Sequence, residues 1–181
     1  MDRETPDNAR GPAAPGLRVL GVDASLRSTG LAVVERRAGR LTAVEYAAVR
    51  NPASAPHTEC LRRVHEELEA LIHRTQPQTA ALEAGFFAKN ARTAMVLGEV
   101  RGVVLAVCAR AGVPVYEYPP RAIKGALTGF GGAQKGQVGR MVCAMLGLTG
   151  PLQEDAADAL ATAICHVQHQ GGPAALRPQP L

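Results

Sequence analysis

Apolar residues along this chain fall into two rhythms, and together they lay out nearly the whole fold. From Arg18 the run Val19-Leu20-Gly21-Val22 is short, continuous and closed by Asp23, the pattern of a central strand covered on both faces. Leu31 to Arg36 and Leu41 to Val49 follow as strand-like runs, and the polar Arg37-Ala38-Gly39-Arg40 between them predicts a hairpin. Thr79 to Leu82, ended by Glu83, and Pro114 to Tyr118 add two more short strands. Helical spacing sets in between Pro56 and Pro77, at Leu61, Val64, Leu68, Leu71 and Ile72, with Thr58 as the expected cap and Glu59 in the first turn. It returns from Asn90 to Arg110, stopped by Gly112, and from Arg121 to Leu127, opened by Pro119-Pro120 and ended by Gly129. Gln134 to Leu146 and Asp155 to Gln168 complete the set. Three strands, helix, strand, helix, strand and then helices call for an α/β architecture, a mixed five-stranded sheet with helices on both faces.

Length changes the picture only by limiting it: 181 residues suit one domain with tails. Residues 1–17 and 169–181 are rich in Pro, Gly and Ala without periodicity and read as flexible tails around a domain at 18–168. No run approaches membrane-spanning length, and the N-terminus carries no signal-peptide pattern, so a cytoplasmic setting is expected. Cys60, Cys108, Cys143 and Cys165 stand far apart in helical patterns and read as small buried hydrophobes. His65, His73, His166 and His169 are expected at the surface. The formal charge of +4 permits a nucleic-acid partner without demanding one. The only lysines, Lys89, Lys124 and Lys135, lie near loop signals, where a flexible point charge can reach a phosphate.

The chemistry gathers on acids. Asp155-Ala156-Ala157-Asp158 puts two carboxylates three residues apart at the start of an Ala-rich helix, on one face. Like charges that close raise each other's pKa, and the pair gains little unless a cation sits between them, although Asp at a helix start also interacts well with the dipole. Asp23 and Glu83 each end a strand, and neighbouring strand ends can lie side by side however distant in sequence. Four carboxylates gripping two divalent ions, Mg²⁺ or Mn²⁺, are the constellation that hydrolyses phosphodiesters. Phe86 and Phe87, two of the three phenylalanines in a chain without Trp, follow Glu83 in a loop. Stacking on an unpaired base is the reading for Phe86; for Phe87 core packing serves equally well.

The blocks Gly21-Val22-Asp23, Glu83-Ala84-Gly85-Phe86-Phe87-Ala88-Lys89-Asn90, Gln134-Lys135-Gly136-Gln137-Val138 and Asp155-Ala156-Ala157-Asp158-Ala159-Leu160 resemble those of RuvC-type Holliday junction resolvases, in order, from about Arg18 to Val167. The resemblance implies a ribonuclease H-like fold, a homodimer, and paired symmetric nicking of a four-way DNA junction in recombination and repair, with Mg²⁺ or Mn²⁺. It also implies a partner motor for branch migration, of the RuvA and RuvB type. Asp23, Glu83, Asp155 and Asp158 match the catalytic, metal-holding tetrad; Phe86 matches the aromatic wedge; Lys124 and Lys135 match the basic residues beside the cut. Lys89, Asn90 and Arg121 are further candidates for DNA contact. Ala24-Ser25 and Ala84 stand where the family commonly has Pro-Gly and Gln, which bears on the first turn and the base contacts near Glu83. Three competing readings are an actin-like sugar kinase, a nuclease acting on ribosomal RNA precursors, and a DNA-binding module without catalysis. The first lacks a second lobe at this length.

Overall fold

The computed structural model describes residues 16–84, 90–171 and 178–181. Ten elements follow in order: β1 Leu17–Asp23, β2 Ser28–Arg37, β3 Arg40–Arg50, α1 His57–Thr75, β4 Thr79–Glu83, α2 Ala91–Arg110, β5 Val115–Tyr118, α3 Pro120–Thr128, α4 Lys135–Leu146 and α5 Glu154–Gln170. The strands form one sheet in the order β3-β2-β1-β4-β5. β1, β2 and β3 pair antiparallel, whereas β4 runs parallel to β1 and β5 parallel to β4. The continuous apolar run of β1 is explained by this position, for Val19, Leu20 and Val22 are buried at the middle of the sheet.

Each face of the sheet carries its own core. Leu20, Val22, Leu31 and Val33 pack with Val64 and Leu68 of α1 and Val100 and Val104 of α2. Val19, Ala32 and Val34 point the other way, onto Leu160 and Ile164 of α5 and Ile123, Val138 and Val142 of the shorter helices. Alternation along each strand therefore feeds two layers, and the sheet is covered on both sides.

Three details differ from the sequence expectation. α1 starts at His57 with Pro56 as its cap residue and no side-chain cap bond, so Thr58 lies inside the first turn. A proline has no N–H to satisfy and already holds the extended backbone from which a helix can start. His166, expected at the surface, is fully buried, with Nδ1 2.8 Å from the Tyr118 hydroxyl and its ring 4.5 Å from that of Tyr116. The reason is that α5 lies between the sheet and α3 and α4 and is apolar on nearly every side, which leaves its later turns inside. Of the cysteines, Cys60, Cys108 and Cys165 are buried as expected, while Cys143 is only partly so. At the chain end the Leu181 N–H donates to the Val115 carbonyl at 2.9 Å, laying the last residue along the edge of β5.

Candidate active site

Parallel pairing of β1 with β4 brings two acids together that are separated by most of the first half of the chain. Val22 is level with Leu82, so the next residues, Asp23 and Glu83, end the two strands side by side. On its other flank Asp23 is level with Gly30 of β2. Helix α5 then comes down on these strand ends unusually closely. A Cβ on Gly30 would lie 1.9 Å from the Asp155 carbonyl oxygen, and one on Gly21 would lie 2.0 Å from that of Ala159. Only glycine leaves room for helix backbone at that distance, and the contact sets the first turn of α5, with Asp155 and Asp158, over the end of β1.

The electrostatics report the same convergence. Burial, and then Asp158, Glu83 and Asp155, push the Asp23 carboxyl up to about 7. Burial and then Asp158 raise Glu83 as well. Protein groups supply partial relief. Asp155 Oδ2 accepts from the Ser28 hydroxyl at 2.5 Å and from Gln153 Nε2 at 2.6 Å. Lys135 Nζ pairs with Glu154 and lies 3.1 Å from Asp158; the bond to Glu154 first, and then Asp158, raise its pKa against the effect of burial. Among the described residues no three carboxylate, imidazole or thiol groups stand in a ligand arrangement.

Two cavities open on the acids. One of about 220 Å³ is lined by Asp23, Ala24, Glu83, Leu97, Arg101 and Pro120 among others. The other, about 180 Å³, is lined by Glu83, Pro120, Lys124, Lys135, Val138 and Asp158. Lys124 and Lys135, the lysines expected beside the cut, both line this second cavity with the acids. Arg121 sits exposed in the first turn of α3. The Asn90 side chain caps α2, accepting from the Thr93 N–H at 2.9 Å, which gives it a structural duty. Phe86, Phe87 and Lys89 lie outside the described residues.

Several contributors escaped the sequence. Arg101 reaches across from α2, donates to the Glu83 carbonyl at 3.2 Å and forms an ion pair with Glu117 of β5. It thereby fastens the end of β4 that carries the acid. Ser28, Gln153 and Glu154 hold Asp155 and Lys135. Glu154, next to Asp155 at the start of α5, was the one with a local signal; Arg101 and Ser28 carry none.

The chain is similar to known proteins in sequence and in fold. A family profile described as crossover junction endodeoxyribonuclease RuvC matches residues 19–166. The crossover junction endodeoxyribonuclease RuvC of Chloroflexus aggregans is 50% identical over 151 residues, covering 83% of this chain and 92% of that protein. That of Desulfitobacterium hafniense is 45% identical over 149 residues, 82% of this chain and 90% of its own. Among solved structures, T. thermophilus RuvC in complex with a Holliday junction substrate superposes with a TM-score of 0.82 at 34% identity, covering 91% of this chain and 99% of that one. The yeast mitochondrial resolvase Ydc2, at 10% identity and a TM-score of 0.58, shares the fold.

Proposed function

The chain belongs to the RuvC family of crossover junction endodeoxyribonucleases, and we propose on that premise that Asp23, Glu83, Asp155 and Asp158 are the carboxylates with which it nicks four-way DNA junctions. The observation that carries this assignment is the meeting of two strand ends, bearing Asp23 and Glu83, with the first turn of α5, bearing Asp155 and Asp158, and the upward push on Asp23 accords with it. A protein gains nothing in stability by gathering like charges in a half-buried place; the arrangement makes sense as a site for positive charge.

The donor chemistry fits Mg²⁺ or Mn²⁺. All four side chains offer hard carboxylate oxygens, and no thiol or imidazole is among them. When bound between such acids, divalent ions supply a water of lowered pKa to attack phosphorus and positive charge for the departing 3′-oxygen. The residues of the chain do the rest. Ser28 and Gln153 fix the rotamer of Asp155 by donating to one oxygen and leaving the other open. Lys135 pairs with Asp158 and lines the same cavity as Lys124, from which the two neutralise the scissile phosphate. The β4 end bearing Glu83 is fastened by Arg101 at its backbone carbonyl, which fixes the point from which the carboxylate reaches the site.

Paired nicks need two such sites facing opposite strands, hence a homodimer. Helix α2 fits that contact: Val100, Val104 and Val107 face inward, while Ala94, Met95, Gly98, Gly102 and Ala106 line up exposed on its outer side. The working unit is then a dimer of the 18–168 domain, acting in the cytoplasm with a branch-migration motor of the RuvA and RuvB type. Among the described residues no helix is long and apolar enough to cross a membrane.

The decisive assay incubates the protein with a four-way junction, a linear duplex and an RNA–DNA hybrid, each with Mg²⁺ and with Mn²⁺. Symmetric paired nicks in the junction alone are expected, and Asp155→Asn should abolish them while junction binding persists. Equal cutting of the linear duplex, or full cutting by Asp155→Asn, would overturn the reading.

A further inference from the structure

Phe130 is the third phenylalanine of the chain and has no part in the machinery described so far. At 69% exposure it is the most exposed large apolar side chain of the described residues. It stands in the turn between α3 and α4, and that turn is not loose. The Thr128 hydroxyl donates to the Lys124 carbonyl at 2.8 Å and accepts from the Phe130 N–H at 3.2 Å. The Ala133 N–H donates to the Phe130 carbonyl at 3.1 Å, so the backbone of this residue is held on both sides. Two glycines complete the fixture. A Cβ on Gly131 would come 3.0 Å from the Arg121 carbonyl oxygen, and one on Gly132 would meet the Phe130 ring at 2.7 Å. The turn thus folds back on the first turn of α3, and the ring lies over Gly132 with most of its surface in water.

The place matters as much as the exposure. Pro120, which opens α3, lines both cavities at the acids. Lys124 of the same helix lines one of them, and Lys135, at the start of α4, is paired with Asp158. Along the chain Phe130 lies between two lysines that face the acids, and its turn is packed against Arg121. A ligand that follows these cations outward from the acids carries negative charge along its length and flat apolar surface at intervals. Nucleic acid has both.

We propose that Phe130 stacks on a nucleobase or deoxyribose of the junction strand flanking the cut, a contact separate from the loop after Glu83; this rests on the junction-nuclease reading above. Every base presents a π-face, so the contact adds affinity and holds the scissile strand in place without choosing a sequence. The fixed backbone means that the ring is positioned before DNA arrives, which spares the ordering penalty of a mobile loop.

The test measures junction binding in EDTA by fluorescence anisotropy, with 2-aminopurine placed in turn at each nucleotide around the nick. F130A should weaken binding by about fivefold or more and abolish the quenching at one position. The slope of log K against log salt should stay unchanged, since no phosphate contact is lost. F130W should bind and quench as the parent does. Gly132→Ala, which drives a methyl into the ring, should resemble F130A. Both variants should keep the parent's far-ultraviolet circular dichroism, and if F130A melts early, the F130W and Gly132→Ala pair reads the contact alone. Affinity within twofold and unaltered 2-aminopurine emission in F130A and Gly132→Ala would overturn the proposal, and a base-stacking role would give way to a protein-docking one. Failure of the unmodified protein to nick junctions would sink the junction-nuclease reading instead.

Discussion

Asp23 is the residue at which the tension in this molecule is greatest. It is half-buried between strands, surrounded by three other acids, and held up to about 7. In the metal-free protein above that pH, its ionised form opposes folding by roughly 4 kcal/mol as an upper bound, from the gap to its ordinary value. Asp23→Asn should therefore raise the melting temperature by several degrees in EDTA at pH 8, while cleavage disappears. A variant less stable than the parent would show that the carboxyl makes compensating contacts. His166 works in the opposite direction. Burial first, and then His169, lower its pKa to about 4, so the folded state binds fewer protons than the unfolded chain. Its stability contribution is complete above the ordinary imidazole value and fades as the pH falls from about 6.5 toward 4. Denaturant titrations at pH 7.5 and pH 5 should differ by about 2 kcal/mol more in the parent than in His166→Gln. The acids were legible in the sequence because each ends an apolar run or opens a helix. Ser28 and Arg101 were not, because an ordinary serine or arginine acquires its role only from a partner far along the chain.

At the scale of elements, the tight seam between α5 and the first two strands governs the geometry of the site. Gly30→Ala places a methyl where the Asp155 carbonyl now sits, and backbone cannot yield as a flexible side chain can. Shifting a packed helix by such a clash typically costs about 1 to 3 kcal/mol. The variant should fold with that loss and cut at least tenfold more slowly, measured by denaturation and by single-turnover cleavage; an unimpaired rate would mean that the position of α5 is not critical. All ten elements could be read from the hydrophobic rhythm, with ends displaced by up to three residues, as where β2 starts at Ser28 rather than Leu31 and α5 runs on to Gln170. What the rhythm could not show was which side of a uniformly apolar helix meets the sheet, and the burial of His166 was missed for that reason.

At the scale of the whole molecule, covering both sheet faces leaves the outer side of α2 as an apolar stripe in contact with water. Gly98→Arg puts a long charged side chain where nothing within 4 Å now opposes a Cβ, so the protomer should fold normally. If α2 forms the dimer contact, this variant should run as a monomer by light scattering and nick one strand without coordinating the second. A Gly98→Arg protein that remains dimeric and cuts in pairs would move the contact elsewhere.

The layout also has a consequence for how the enzyme is made. Asp23 leaves the ribosome early and Asp155 and Asp158 almost last, on a helix that also closes one of the two cores. A nascent or truncated chain without α5 has only two of the four acids and an uncovered sheet face. If these four acids are the ones that cut, the chain is expected to be inert until α5 has folded onto the sheet, and a chain ending before α5 should neither nick a junction nor show a cooperative melt.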